Sequence, residues 1–304
     1  MPKNEADLGT KCGFIAIIGA PNVGKSTLLN RIMGLKVSIV SPKIQTTRTR
    51  VLGICIKENT QLVFIDTPGI FQPRCRLDRA MVAAAWLGAG DADHIILLVD
   101  VKYGIDTNTK SILKKLKEKG GRADLVLNKV DLADKPSLLG LAVELNEWGM
   151  FDNTFMISAE RGDGVEDLMP HLTEQMPKGS WVFPEDQISD MPERLLAAEL
   201  TREKLFLQLH KEVPYAITVE TENWEELDDG SIRIEQVIYV LRNSQKAILL
   251  GKNGARIKSI GTEARAEMKT AFNCLVHLFL FVKVRGTWID DPERYRNWGL
   301  DFDA

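Results

Sequence analysis

The segment Gly19-Ala20-Pro21-Asn22-Val23-Gly24-Lys25-Ser26 decides the fold of the first half of the chain. It follows an apolar run, residues 14–18, and precedes a helical pattern with apolar Leu28, Leu29, Ile32 and Met33. A buried strand, a glycine-rich turn and a helix form a phosphate-binding loop, because the N–H groups of the turn and the positive helix end face an anion. In such a loop Lys25 reaches the β- and γ-phosphates and the Ser26 hydroxyl ligates Mg²⁺. The sequence therefore predicts a nucleoside triphosphate site; the alternative is a chance glycine turn.

The bulk properties are those of a globular protein with local functional sites. The chain has 304 residues, 44% hydrophobic and 27% charged, with a net charge of −3, so any basic site must be local. The N-terminal residues 1–11 have no apolar core of a signal peptide, and no apolar run approaches the length that spans a membrane. The cysteines form no CxxC pair, which favours a reducing compartment and argues against metal or disulfide chemistry. They are Cys12, Cys55, Cys75 and Cys274.

Apolar runs alternate with amphipathic segments up to about residue 176, which predicts a mostly parallel sheet covered by helices. The strand candidates are residues 14–18, 51–57, 61–66, 94–100, 123–128 and 154–158. The helical patterns lie near residues 25–33, 77–88, 107–119, 137–148 and 165–175. The second and third strands are too close for a helical crossover, so we expect them to form an antiparallel hairpin.

A polar stretch with three prolines and one glycine at 177–192 interrupts this alternation, so we place an interdomain linker at residues 181–192. The predicted domains are residues 1–180 and 193–304. The second domain has the predicted order helix (193–210), strands (215–223 and 231–242), helices (244–250 and up to about 272) and strand (275–284).

The segment Asp66-Thr67-Pro68-Gly69 follows the apolar residues 62–65. An aspartate at the end of this strand can hold Mg²⁺, and the Gly69 N–H can contact a γ-phosphate. The same four residues also make an ordinary turn. Upstream, a threonine of the polar segment 44–49 could close over Mg²⁺ when the γ-phosphate is present, with a plain polar loop as the alternative for Thr46 and, less so, Thr47.

The segment Asn128-Lys129-Val130-Asp131 follows the strand candidate 123–128 and indicates the base. The carboxylate of Asp131 can accept both hydrogen bonds from the N1–H and exocyclic amine of guanine, a donor pair that adenine lacks. Asn128 would tie this loop to the phosphate loop, and the Lys129 stem would cover the base. Ser158-Ala159-Glu160, after another strand, places an N–H near guanine O6. For residues 128–131 the alternative is a solvated turn after the strand.

The segment Gly251-Lys252-Asn253-Gly254 lies between two helical patterns, and glycines there let a nucleic-acid backbone approach closely. Lys252, Arg256 and Lys258 supply local positive charge. Most GxxG segments are only turns. The neighbouring apolar residues are a candidate base-binding groove or, in part, core: Ile248, Leu249, Leu250, Ile257 and Ile260.

Two further groups of residues each allow two interpretations. The tail residues Trp288, Arg294, Arg296 and Trp298 have the character of stacking and phosphate contacts, or pack the last helix on the sheet. A basic group near the second predicted helix could supply an arginine finger, although solvation at the surface is the preferred interpretation. This group is Arg74, Arg76 and Arg79.

The ordered set GxxxxGKS, Thr, DxxG, NKxD and SAE resembles the translation-factor-related GTPases, and the Gln45-Thr46-Thr47-Arg48 loop resembles the Era branch. The resemblance implies an α/β P-loop G domain, doubly wound and mostly parallel, followed by a smaller α+β type II KH domain. It implies catalytic roles for Lys25, Thr47 and Gly69, Mg²⁺ ligation by Ser26, Thr47 and Asp66, and an activating K⁺ at Asn22. Ile70 stands where Ras-type enzymes have a glutamine that orients water. The implied GTP-binding residues are Gly19, Ala20, Pro21, Asn22, Val23, Gly24, Lys25, Ser26, Thr27, Asp66, Thr67, Pro68, Gly69, Asn128, Lys129, Asp131, Ser158, Ala159 and Glu160. The implied RNA-binding residues are Gly251, Lys252, Asn253, Gly254, Arg256 and Lys258.

The resemblance also implies partners. It implies binding of the 3′ end of 16S rRNA through the KH domain, in 16S rRNA processing and assembly of the 30S ribosomal subunit, with peripheral association at the inner membrane in some members. We expect a cytoplasmic monomer without a DNA partner. One alternative is an RNA-binding assembly factor whose nucleotide is structural and not hydrolysed. Another is a phosphotransferase, against which the guanine-specific segment argues.

Overall fold

The computed structural model describes residues 9–304, and their contacts divide the chain into two compact units. The first unit takes the chain up to Ser38 together with Thr47–Asp190 and Trp298–Ala304, and the second takes Ile39–Thr46 and Met191–Asn297. The units therefore exchange two short segments that the sequence assigned to the other side. The boundaries at 180 and 193 remain a prediction of where one folded domain ends and the next begins.

The first unit contains a six-stranded sheet in the order β2-β3-β1-β4-β5-β6. Its strands are β1 (Lys11–Gly19), β2 (Val51–Lys57), β3 (Thr60–Asp66), β4 (His94–Asp100), β5 (Ala123–Asn128) and β6 (Phe151–Ile157). The hairpin β2–β3 is antiparallel and the other pairs are parallel. All residues of β3 and β5 are buried, as expected for inner strands of a sheet covered on both faces, whereas the edge strand β6 is largely open.

Helices follow the strands in the alternation that the sequence predicted. They are α1 (Lys25–Met33), α2 (Arg76–Gly90), α3 (Thr107–Glu118), α4 (Lys135–Asn146) and α5 (Val165–Gln175). Aspartate side chains cap two of them: Asp106 accepts from Thr109 N at 2.7 Å, and Asp134 accepts from Ser137 N at 2.9 Å. Each cap satisfies a backbone donor that the first helical turn leaves unpaired.

The polar segment after α5 is bound to the first sheet over most of its length. Ile54 N in β2 donates to Ile188 O at 2.8 Å, and Leu52 N donates to Asp190 Oδ1 at 2.9 Å. Trp181 and Phe183 pack on a buried cluster of β1, β2 and β3 side chains. A linker that only connects two domains would not need these contacts, so the stretch read as an interdomain linker extends the first unit.

The second unit contains a three-stranded sheet in the order β7-β8-β9. Its elements are α6 (Glu193–Gln208), β7 (Ile217–Glu226), β8 (Ile232–Val240), α7 (Asn243–Leu250), α8 (Ala255–Phe272), β9 (Val276–Val284) and α9 (Pro292–Asn297). The pair β7–β8 is antiparallel and β8–β9 is parallel. The order helix–strand–strand–helix–helix–strand is the one that the sequence predicted, and its core joins α6 and α8 to the sheet.

Much of the tail of the second unit packs on its sheet. Trp288 is fully buried and its indole Nε1 donates to Ala216 O at 3.3 Å. Arg294 is buried, pairs with Glu220 and stacks over the Tyr239 ring, 4.6 Å from its centroid. The reading of Trp288 and Arg294 as stacking and phosphate contacts is therefore wrong, because neither side chain faces solvent.

None of the helices in residues 9–304 combines the length and the apolarity that crossing a membrane requires.

We expect Gln61→Leu to destabilise the first unit. The buried Gln61 side chain accepts from Val182 N at 2.9 Å and from Phe183 N at 3.0 Å, and it donates to Phe183 O at 2.8 Å. Leucine leaves these backbone groups without hydrogen-bond partners, which lowers the free energy of unfolding by about 1–3 kcal/mol. Urea denaturation measures this change. The control is Gln175→Leu at an exposed helix end, which we expect to change stability by less than about 0.5 kcal/mol. Equal stabilities of the two variants would contradict the role of Gln61.

Candidate functional site

The phosphate loop connects β1 to α1 in the first unit. Gly24 stands directly before α1 with φ 101°, a conformation that side chains other than glycine rarely adopt. A Cβ atom there would lie 2.3 Å from Asn128 Nδ2, so the position also has no room for one. The loop therefore needs glycine for its backbone and for its contact with the predicted guanine segment.

Lys25 lies at the start of α1 with its side chain buried. Its Nζ donates to Ala20 O at 2.9 Å and to Gly19 O at 3.3 Å. Burial lowers the pKa of Lys25 to about 8, and the nearby Asp66 charge opposes this shift. Burial disfavours the charged form of Lys25, and an anionic ligand such as a phosphate would stabilise that form.

Asp66 ends β3 and brings three predicted Mg²⁺ ligands together. Its fully buried Oδ2 accepts from Ser26 Oγ at 2.7 Å, with Thr47 Oγ1 at 3.5 Å, and the two hydroxyl oxygens lie 2.9 Å apart. The other oxygen, Oδ1, is buried and has no hydrogen-bond partner among the described residues. Burial also raises the pKa of Asp66 above its ordinary value. An orphaned carboxylate oxygen beside two hydroxyl groups is a donor set that Mg²⁺ prefers.

The two threonines of the polar segment, Thr46 and Thr47, make different contacts. Thr46 Oγ1 is bonded to Ser41 Oγ at 2.6 Å and to Lys43 O at 2.5 Å, so it faces away from the carboxylate. Ser38 Oγ donates to Asp66 Oδ2 at 2.8 Å. No sequence motif singles out Ser38, and only the fold shows this third hydroxyl group on Asp66.

The turn after Asp66 is bonded to the phosphate loop. Thr67 Oγ1 donates to Ile17 O at 2.8 Å, and Ile70 N donates to Gly19 O at 3.0 Å. Pro68 and Gly69 lie between these two anchors. These two hydrogen bonds hold the turn against β1 and the start of the phosphate loop, and the buried Ile70 side chain offers no polar group to a water molecule.

Asn128, at the end of β5, ties the guanine segment to two other predicted segments. Its Nδ2 donates to Val23 O at 2.7 Å, and its Oδ1 accepts from Ala159 N at 2.9 Å. Lys129 Nζ donates to Asn22 O at 2.7 Å and to Asp100 Oδ2 at 2.6 Å. The first contact is the tie between loops that the sequence predicted; the sequence did not indicate Asp100.

Asp131 lies in a short 3-10 turn beside the serine–alanine–glutamate loop. A hydrogen bond from Ser158 is the main reason why its pKa is lowered, so the carboxylate is ionised at neutral pH. Arg161 Nε lies 3.7 Å from Asp131 Oδ2, and Oδ1 is buried without a hydrogen-bond partner among the described residues. An ionised carboxylate with an open oxygen can accept hydrogen bonds from a guanine base.

Arg31, in α1, is a positioning residue that the sequence did not indicate. Its guanidinium donates to Ala159 O at 3.2 Å and to Glu160 O, which holds the loop that would meet guanine O6 against the helix. Thr27, the remaining predicted contact, lies half-buried in the first turn of α1. The structure thus gathers the predicted nucleotide residues at the carboxyl ends of the parallel strands, where ligands of such sheets bind.

The predicted arginine-finger candidates contact the C-terminal segment of the first unit. Arg76 stacks over the Phe302 ring, 4.2 Å from its centroid, and Arg79 Nε donates to Ala304 O at 3.3 Å. Both side chains contact this segment, whereas the sequence favoured solvation at the surface over a catalytic finger.

In the second unit, the GxxG turn separates α7 from α8 and is left-handed, with φ 71° at Gly251, 51° at Asn253 and 75° at Gly254. Lys252, Asn253, Arg256 and Lys258 are exposed, although Arg256 Nη1 also donates to Ile248 O at 2.6 Å.

The apolar groove candidates beside this turn divide into two sets. Leu249 and Ile260 are fully buried in the core of the second unit, so their assignment to a groove is wrong. Ile248 is 43% exposed beside the turn and remains available to a ligand.

Residues 39–46, between Ser38 and Thr47, also pack in the second unit. Lys43 Nζ donates to Leu209 O at 2.7 Å and to Phe206 O, and Arg202 of α6 donates to Gln45 O at 3.2 Å and to Thr46 O. Ile39 lies in a core cluster with α6 and α8 side chains. The two ends of this segment are therefore held at Asp66, while its middle is held by α6.

Comparisons with known proteins agree with both halves of the chain. A family described as 50S ribosome-binding GTPase matches residues 14–129, and a KH domain family matches residues 212–289. Among curated relatives, GTPase Era of Sinorhizobium medicae is 60% identical over 297 residues, covering 98% of this chain and 96% of the relative. GTPase Era of Agrobacterium fabrum is 59% identical over 295 residues, covering 97% and 93%.

Two solved structures share the fold over nearly the whole chain. One is Era in complex with MgGDPNP and nucleotides 1506–1542 of 16S ribosomal RNA, and the other is an Aquifex aeolicus Era variant bound to GDP·AlF4⁻. Each is 38% identical with a TM-score of 0.90, covering 95% of this chain and 99% of the solved chain. The chain belongs to the Era family of GTPases.

Proposed function

We propose that this GTPase senses the terminal phosphate of GTP through Thr47, Gly69 and the Mg²⁺ that Asp66 would help to hold, and that the presence of this phosphate governs how the KH unit holds the 3′ end of 16S rRNA. The observation that carries this proposal is the position of residues 39–46. Their flanking residues, Ser38 and Thr47, lie on the Asp66 carboxylate, whereas their middle packs against α6. A change at the nucleotide is thereby linked through the chain to the RNA-binding unit.

Ser26, Thr47 and Asp66 would hold Mg²⁺, and Asn22 would hold K⁺. The ions supply positive charge near the phosphates when bound. Lys25 exchanges its carbonyl partners for phosphate oxygens, and the N–H groups of the loop and of Gly69 face the same charge. Since Ile70 offers no side-chain base, we propose that hydrolysis depends on this electrostatic stabilisation and on water held by backbone groups.

The RNA partner is proposed from the exposed GxxG turn and from the solved relative that holds a 16S rRNA fragment. Lys252, Arg256 and Lys258 give positive charge beside a turn that a phosphate backbone can approach. The description of the matching G-domain family names the 50S subunit, but it covers residues 14–129 only. The relative with 16S rRNA matches 95% of the chain, which favours the 30S subunit and a role in its assembly.

A cytoplasmic location follows from a ribosomal partner, while monomeric state and peripheral association with the inner membrane stay predictions that rest on the family resemblance. Processing of 16S rRNA is the reaction that we propose the bound chain assists. The alternative of a structural nucleotide predicts no turnover. Release of phosphate from GTP, measured with and without a 16S 3′-end oligonucleotide, separates the two.

Lys25 predicts a pH dependence of GTP binding. Its pKa is about 8 in the free site, and phosphate contact favours the charged form, so binding takes up a proton above pH 8. We expect GTP affinity by calorimetry to fall about fourfold between pH 7 and pH 8.5. The Lys25→Met variant should bind more weakly with no such slope, and a slope that persists in it would refute the assignment.

The RNA site is tested by Gly254→Asp, with the isosteric neutral Gly254→Asn as its control. No atom lies within 4 Å of a Cβ built at Gly254, so either side chain fits, and the left-handed backbone strains both alike. We expect the aspartate to weaken binding of a labelled 16S 3′-end RNA about tenfold or more beyond the asparagine variant, because it repels phosphates. GTP affinity should not change. Equal RNA affinities would remove this turn from the interface.

Coupling is tested by Lys43→Met, which keeps the side-chain stem and removes the ammonium that donates to Phe206 O and Leu209 O. The ratio of RNA dissociation constants with GDP and with a GTP analogue should fall from the roughly 5- to 150-fold typical of allosteric coupling to within about twofold. Lys57→Met, at the exposed end of β2, is the control and should keep the ratio. An unchanged ratio in the Lys43 variant would mean that the contacts between residues 39–46 and α6 do not couple the nucleotide to RNA binding.

A further inference from the structure

Two of the four histidines of the chain contact one buried carboxylate in the first unit. Asp124 of β5 is fully buried, and its Oδ2 lies 2.7 Å from His94 Nε2 and 2.6 Å from His171 Nε2. His94 begins β4, and His171 lies in α5. The histidine side chains are 16% and 17% exposed, so an ion can reach the carboxylate from solvent.

This cluster is separate from the nucleotide site. His94 and Asp124 stand at or next to the amino ends of parallel strands, whereas Asn128 and the phosphate loop stand at carboxyl ends. Asn128 lies four residue steps along β5 from Asp124, which corresponds to about 13 Å along an extended strand. The cluster therefore lies at the opposite edge of the same sheet.

A β-bulge brings a fourth polar group to the cluster. Between Ala123 and Leu125 the pairing advances two residues along β5 but three along β6, from Phe151 to Thr154. Asn153 lies in this bulge, and its Nδ2 donates to Asp124 Oδ1 at 3.0 Å. Bulges re-aim side chains and are common beside functional sites. Rotation of the Asn153 amide would present its oxygen at the same place.

The charge balance favours a cation. Within residues 9–304, the ion pairs of Asp124 are both with these histidines, so neither a lysine nor an arginine neutralises the buried carboxylate. Buried charges in proteins are paired or coordinate metals. Imidazole and carboxylate ligands suit zinc and its neighbours, while Mg²⁺ and Ca²⁺ favour oxygen ligands alone.

We infer that His94, Asp124 and His171 bind a divalent transition-metal ion of the zinc class, with Asn153 or a water molecule as fourth ligand. Each imidazole then presents its Nε2 lone pair and carries its hydrogen on Nδ1. The ion joins β4, β5 and α5, so it stabilises the first unit and has no part in GTP turnover.

The test uses the full chain, stripped of metal with a chelator and titrated with Zn²⁺ against a competing indicator. We expect one zinc ion per chain and a melting temperature that rises with Zn²⁺. His171→Gln should lower zinc affinity by about 100-fold or more and abolish this rise, while Asn153→Ala should cost about 10-fold. His277→Gln, an exposed histidine of the second unit, is the matched control and should bind as the parent does.

GTP affinity reports whether each variant is folded, because the cluster is remote from the nucleotide residues. Failure of the parent chain to bind zinc at micromolar concentration would overturn the inference and leave a hydrogen-bonded cluster. Equal zinc binding by the parent and His171→Gln would place the ion elsewhere, for example on a thiol, and would overturn it as well.

Discussion

The burial of the Asp66 carboxylate is the constraint on which the nucleotide site depends. Removing this charge from water is unfavourable, and hydroxyl donors together with the more distant Lys25 offset this cost in part. Three stretches meet there because each brings a hydroxyl group: the start of α1, Ser38 and Thr47. A cation bound there, as proposed, would balance the charge of the carboxylate, and the stability of the folded chain would then rise with ligand concentration.

Local patterns allowed the sequence to predict the elements of both units and the nucleotide segments. Period-two and continuous apolar runs located the strands, and the segments around Lys25, Asp66 and Asn128 each follow a strand end. Parallel strands bring such ends to one edge, so topology alone collects these residues. The choice of Thr47 needed the resemblance to a family, since Thr46 is chemically the same.

Long-range contacts could not be predicted in this way. Ser38, Asp100 and Arg31 carry no motif, and they matter only because the fold brings them to Asp66, Lys129 and the loop at 159–160. The stretch at 181–190 looked like a linker because its composition is polar, yet Gln61 and β2 provide partners for its backbone. The sequence left two interpretations open for Trp288 and Arg294, because burial of a single aromatic or cationic side chain has no periodic signature.

The placement of residues 39–46 bears on how this protein can be divided for experiments. A fragment that stops near residue 190 keeps every nucleotide motif but deletes α6, the helix that receives Ile39 and Lys43. Such a fragment exposes an apolar side chain and frees a loop anchored at both ends beside the carboxylate. The nucleotide kinetics of this fragment would describe residues 39–46 without their contacts to α6. Hydrolysis should therefore be measured on the intact polypeptide.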